Sequence, residues 1–186
     1  MVAYFQLQPA EAELQQLAEQ YWQEIGEKDQ QLEMEAFEAG RAIRHEAEYS
    51  LKNLETIVRW KSERTVHYLI RNSDESIRRA LSVAASPEST TDAAVCALLE
   101  LHGVDLPVAS AILTAIFPER YTVLDYRALE ALGHSRHNVH FYEEYLDFCK
   151  RLAESNIVSP QCELPAPTPL RALDRALSEW TRSNAE

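Results

Sequence analysis

The stretch LLELHGVDLPVASAILTAIFPERYTVLDYRALEALG, Leu98 to Gly133, decides how the rest of the chain is read. Leu98, Leu99 and Leu101 with Val95 give the apolar face of a helix. His102-Gly103-Val104-Asp105-Leu106 is a short turn, and Pro107 sits in the first turn of a second helix, where its missing N–H leaves no hydrogen bond unmade. Pro118 ends that helix, and Tyr121-Thr122-Val123-Leu124 is a β-branched extended connector. Asp125 then stands where another short helix starts, running to Gly133. The stretch predicts two helices folded on each other through a hairpin, then a third helix that opens on an acidic residue.

Helical periodicity continues on both sides. Leu14, Leu17, Ala18, Tyr21, Trp22 and Ile25 recur at the spacing of a helix that buries one face. From Leu32 through Phe37, Ile43, Ala47, Leu51, Leu54 and Val58 the spacing stays helical, with Gly40 as the expected point of bending or breakage. Ser62, and then Asn72 or Ser73, read as caps of two further helices, the second with Asp74 and Glu75 in its first turn. SPESTT (86–91) reads as a linker. Phe141, Tyr145, Phe148, Cys149 and Leu152 mark an amphipathic helix, and Leu170, Leu173, Leu177 and Trp180 mark the last one, opened by Thr168-Pro169. Cys96 and Ser110, set inside apolar helices, are expected in the core. There is no internal repeat and no convincing strand. The expected fold class is all-α: a compact helical bundle forming one domain over 1–186. Its parts are an acidic helical segment at 1–45, the helix-hairpin-helix and Asp-bearing helix at 92–133, a Pro-rich connector at 160–169 and a final helix at 170–182.

Composition narrows the function classes. Four glycines in 186 residues disfavour an all-β design, and neither a GxxxxGK nor a GxGxxG loop occurs. Three cysteines (Cys96, Cys149, Cys162) cannot make a four-Cys zinc or iron–sulfur site. No apolar run approaches the ~18 residues of a membrane span, and the first residues lack the basic-then-apolar order of a signal peptide. A cytoplasmic protein with no membrane partner and no cofactor is expected. The net charge of −12 is uneven: residues 1–40 hold one Lys against nine Asp/Glu, whereas residues 41–85 hold nine Lys/Arg against six. Any affinity for nucleic acid must rest on the middle stretch and be weak and salt-sensitive, while the acidic first helix suits a protein partner.

The quoted segment resembles the one shared by the helix-hairpin-helix DNA glycosylases of base excision repair, in which a leucine-rich helix meets a Gly-hydrophobic-Gly hairpin, a second helix reads xxAxxIL, and a β-like connector delivers an Asp to the next helix. Those parts match Gly103-Val104-Asp105, then Val108-Ala109-Ser110-Ala111-Ile112-Leu113, then Tyr121-Thr122-Val123-Leu124-Asp125, over about a fifth of the chain. The resemblance implies a glycosylase-like core and a phosphate held by the backbone of Gly103, Val104, Asp105 and Leu106. It further implies Asp125 as the catalytic carboxylate that stabilises an oxocarbenium-like sugar or orients water. Two positions depart from the pattern. Asp105 stands at the second Gly, putting a negative side chain where a phosphate approaches. Pro107 replaces the lysine nucleophile of the bifunctional members, so an enzyme here would be monofunctional, hydrolysing the N-glycosidic bond without strand scission.

The residues themselves leave alternatives. Asp125 reads as a helix N-cap, alone or with chemistry added. Lys61 and Arg64 read as nucleic-acid contacts and Trp60 as a pocket aromatic beside them, or as a buried Trp with snorkelling basic neighbours. Tyr126 and Arg127 either line a pocket beside Asp125 or face helix neighbours. His134, His137 and His140 are three apart but have no carboxylate at matching spacing, so a polar loop is expected and no metal site. Three functions follow: a monofunctional DNA glycosylase, a relative that has lost catalysis and binds nucleic acid or protein, or a helical interaction protein with no nucleic-acid role.

Overall fold

The computed structural model describes residues 5–134 and 139–184, with side chains at 139 and 140 left out of the description. Among these residues the secondary structure is helical throughout, with no strand. In chain order the α-helices are α1 (Leu14–Glu24), α2 (Gly26–Glu46), α3 (Leu51–Ser62), α4 (Asp74–Ala84), α5 (Thr91–Leu99), α6 (Leu106–Ile116), α7 (Tyr126–Glu130), α8 (Val139–Glu154) and α9 (Pro169–Asn184). A 3-10 segment, Glu63–Arg71, follows α3. No helix among the described residues is long and apolar enough to cross a membrane. The chain divides into two compact units: a first of Met1–Glu27 with Pro118–Glu186, and a second of Lys28–Phe117.

The second unit is built around α6. Its sequence, LPVASAILTAI, is apolar or small on every face, and a helix of that kind must be enclosed. Every residue from Val108 to Ile116 is buried. α3 and α5 pack against it, and α4 packs on α5. Gly40 shows how closely α2 approaches: a Cβ there would fall 2.0 Å from the Ala115 carbonyl oxygen. Gly40, which the sequence marks as a point of bending or breakage, does not break its helix. α2 runs unbroken past it, and the missing side chain is what lets two helix backbones touch. The break comes later, at Ala47, whose φ of 54° is left-handed, and Ser50 then caps α3 by accepting from Asn53 N at 3.2 Å. Ser62 caps nothing with its side chain, and a 3-10 segment stands where a helix is expected. Ser73 and Thr90 do cap α4 and α5. Ser110 is in the core and bonds the Pro107 carbonyl, but Cys96 is exposed, because α5 is only half enclosed between α4 and α6.

The first unit is built around α9, against which α1, α7 and α8 pack. The apolar stripe at Leu170, Leu173 and Leu177 is there, yet Arg171, Asp174, Arg175 and Glu179 are buried with it. The carboxylate of Asp174 pairs with the Arg171 guanidinium one turn back, and Arg171 and Arg175 lie over the rings of Tyr21 and Trp22 at 5.7 and 5.6 Å. Arg175 also donates to Gln161 Oε1 (3.1 Å) and to the Pro165 carbonyl (2.8 Å), tying the Pro-rich connector to α9.

Two outcomes are expected in urea unfolding. Gly40→Ala should destabilise by about 2 kcal/mol or more despite the better helix propensity of Ala, because overpacking against backbone cannot relax. Asp174→Asn should cost about 3–5 kcal/mol by leaving Arg171 buried without its carboxylate, and Arg171→Met with Asp174→Leu should recover much of that loss.

Candidate functional site

The hairpin joining α5 to α6 lies in the second unit. Gly103 adopts φ +87°, a conformation that glycine takes without strain, and it is also hemmed in: a Cβ there would lie 2.9 Å from Tyr68 Cβ and 3.1 Å from the Thr65 carbonyl. Asn72 braces the turn by reciprocal bonds to His102, donating to its carbonyl at 3.0 Å and accepting from its N–H at 2.8 Å. Val104 and Leu106 point into the core, and the Val104 N–H bonds the Leu101 carbonyl at 3.2 Å. Asp105 is the N-cap of α6, its Oδ1 accepting from Val108 N at 3.0 Å. A carboxylate thus occupies the helix N-terminus, the place where a phosphate would otherwise be attracted.

The hairpin is braced by the 3-10 segment, and this segment carries a group of functional candidates that helical periodicity missed. A 3-10 helix repeats every three residues, so Arg64, His67 and Ile70 share one exposed face, with Tyr68 and Arg71 beside it and Leu69 turned into the core. Ile70 is 76% exposed, an unusual position for a large apolar side chain. The rings of His67 and Tyr68 lie 3.9 Å apart, and the Arg71 guanidinium lies 5.1 Å from the Tyr68 ring centre. Residues 59–71 hold four Lys/Arg against one Glu. The Glu is Glu63, whose carboxylate is paired with Lys28 at 3.4 Å. Of the residues singled out from the sequence, Arg64 belongs to this surface, and Lys61 is half-buried at the end of α3. Trp60 is half-buried against Phe37, with ring centres 5.4 Å apart.

Asp125 lies in the first unit. It caps α7, accepting from Ala128 N at 3.0 Å, and is half-buried. The connector before it, Tyr121 to Leu124, is buried and pinned by two phenols: Tyr142 donates to the Thr122 carbonyl (3.0 Å) and Tyr145 to the Val123 carbonyl (2.9 Å). Tyr126 is 62% exposed, with Arg127 folded over its ring at 5.2 Å. His134 packs on the rings of Phe5 and Phe141. His137 and the side chain of His140 lie outside the described residues, and among the described ones no group of His, Cys, Asp and Glu is arranged to hold a metal. α1, the acidic helix expected to meet a partner, turns Leu14 and Ala18 onto its own unit and exposes Glu19 and Glu24.

Burial raises both phenols well above the usual ~10, and burial likewise raises the Cys149 thiol beside them. An acid whose folded pKa is raised stabilises fully below its unfolded pKa and loses that contribution as pH climbs above it. Stability should therefore fall from about pH 9 upward, at up to about 1.4 kcal/mol per pH unit for each group still protonated in the fold. Melting temperatures between pH 8 and 11 should show this slope, and it should be shallower in Tyr142→Phe and Tyr145→Phe. No protein-family model, no curated protein and no solved structure matches this chain.

Proposed function

We propose that this chain is a helix-hairpin-helix protein that binds single-stranded or locally opened nucleic acid through the 3-10 face of Arg64, His67, Tyr68, Ile70 and Arg71. The observation that carries this reading is an exposed aromatic and apolar surface, flanked by cations and held rigidly against a hairpin turn. Such a surface offers stacking to bases and charge to a phosphate backbone, the two terms that hold single strands. Duplex binding through hairpin amides is disfavoured by the Asp105 carboxylate at the start of α6. The −12 net charge limits the electrostatic term to this patch, so binding should be weak and fall steeply with salt.

The resemblance supports a second reading, in which Asp125 releases a damaged base as a monofunctional glycosylase. In its favour is a half-buried carboxylate at the end of a connector fixed by two hydrogen bonds. That rigidity is what a positioned catalytic group requires.

Anisotropy titrations of labelled single strand and duplex at low and moderate salt test the first reading. Tyr68→Ala should weaken single-strand binding by about tenfold or more, the loss of one stacked base, and Arg71→Gln should lower the salt slope by about one. Absence of binding at low salt, or an unchanged affinity in Tyr68→Ala, would refute it. For the second reading, wild type, Asp125→Asn and Asp125→Ala are incubated with oligonucleotides carrying deaminated, oxidised or alkylated bases. Asn caps as well as Asp, so only Asp125→Ala should lose stability, by about 1 kcal/mol. Base release should fall at least about a hundredfold in Asp125→Asn. Equal release in wild type and Asp125→Asn would leave the residue a cap and nothing more.

A further inference from the structure

The first unit holds a pocket of about 480 Å3 that neither reading above uses. It is lined by Arg120, by Lys150, Ala153 and Glu154 of α8, and by Thr168 and Leu170 at the start of α9. This volume lies within the roughly 300–1,000 Å3 of small-molecule sites. Its walls are largely apolar, with Ala153 and Leu170 buried and Pro167 and Pro169 beside them. Two cations, Arg120 and Lys150, stand among its lining residues, with the Arg120 guanidinium over the Tyr121 ring at 5.0 Å. Lys150 is half-buried and makes no ion pair among the described residues. Burial lowers its pKa and the Arg120 charge adds to that, against the opposing pull of Asp147 and Glu154. An ammonium in that position gains from an anion delivered by a ligand, since the anion restores the charge compensation that water supplies elsewhere.

The start of α9 does not take that role. Thr168 accepts from Arg171 N at 3.1 Å and Pro169 carries no N–H, so the chain itself closes this helix end and leaves recognition to the side chains. The exposed Glu119 and Glu154 at the same pocket set the charge of the ligand. Two cations and two carboxylates make the lining neutral, which disfavours a dianion and suits a single negative charge on an apolar body.

We propose that this pocket binds a small organic monoanion, an aromatic or aliphatic carboxylate or sulfonate, with its anionic group at Lys150 and Arg120 and its apolar body against Ala153 and Leu170. The test is a fluorescence titration of the full chain with 8-anilino-1-naphthalenesulfonate, an aryl body bearing one sulfonate. Wild type should bind one equivalent saturably. 1-Naphthoate should displace the probe, and inorganic phosphate should not. Lys150→Gln should weaken binding at least tenfold with the melting temperature preserved, and Ala153→Phe should abolish it by filling the pocket. Where Ala153→Phe fails to fold, Arg120→Gln serves, with the same expected weakening as Lys150→Gln. Non-saturable binding, equal affinity in folded Lys150→Gln, or displacement by inorganic phosphate would overturn the proposal. The proposed nucleic-acid face lies in the other unit. Lys150→Gln should accordingly leave oligonucleotide binding unchanged, so that either proposal can fail without the other.

Discussion

Helix α6 is buried on every side, and the second unit is the set of consequences of enclosing it. Only its first turn reaches the surface, at the exposed Asp105, and there its own chain supplies an acceptor for an otherwise unmade N–H bond. Asp105 does so through Val108 N. Enclosure also requires partners that come close, which Gly40 permits by having no Cβ to meet the Ala115 carbonyl. At the turn before α6, Gly103 fits under Tyr68 and Asn72 grips His102, and this arrangement sets the 3-10 segment against the hairpin with its aromatic face outward. One burial constraint thus reaches from a core helix to an exposed surface.

The first unit meets the same demand with different chemistry. α9 is enclosed like α6, but it carries Arg171, Asp174, Arg175 and Glu179 into the interior. Buried ion pairs are weak contributors to net stability and severe liabilities when broken, so their value here is positional. Arg175 reaches the connector through Gln161 and the Pro165 carbonyl, fixing a Pro-rich strand of chain that has little periodic structure of its own.

Much of this was legible in the sequence where local chemistry and burial agree. The all-helical class, the hairpin between α5 and α6, and the caps at Ser73, Asp125 and Thr168 follow from periodicity and capping residues, while the helix expected to run to Gly133 ends at Glu130 and gives way to a turn. The misses have physical causes. Gly40 lowers helix propensity locally, yet its tertiary contact outweighs that cost. Residues 63–71 are helical with a period of three, so a search at 3.6 residues per turn assigns His67, Tyr68 and Ile70 to no face. The buried charges of α9 lie outside the apolar stripe that marks this helix in the sequence, and Trp22, over whose ring Arg175 lies, is far away along the chain. In the second unit the sequence singles out Arg64 and the hairpin, and in the first unit it singles out Asp125. It did not indicate the aromatic surface of the 3-10 segment, which faces outward next to the hairpin.

The proposed function puts a nucleic-acid strand on the 3-10 face beside the hairpin. Amide chemical-shift mapping tests it most directly, with isotope-labelled protein titrated at low salt with an unstructured single-stranded oligonucleotide. Saturable shifts are expected, concentrated in residues 63–72 and the neighbouring turn at 101–105, with little change in the first unit. Shifts confined to the first unit, or none at any concentration, would contradict it.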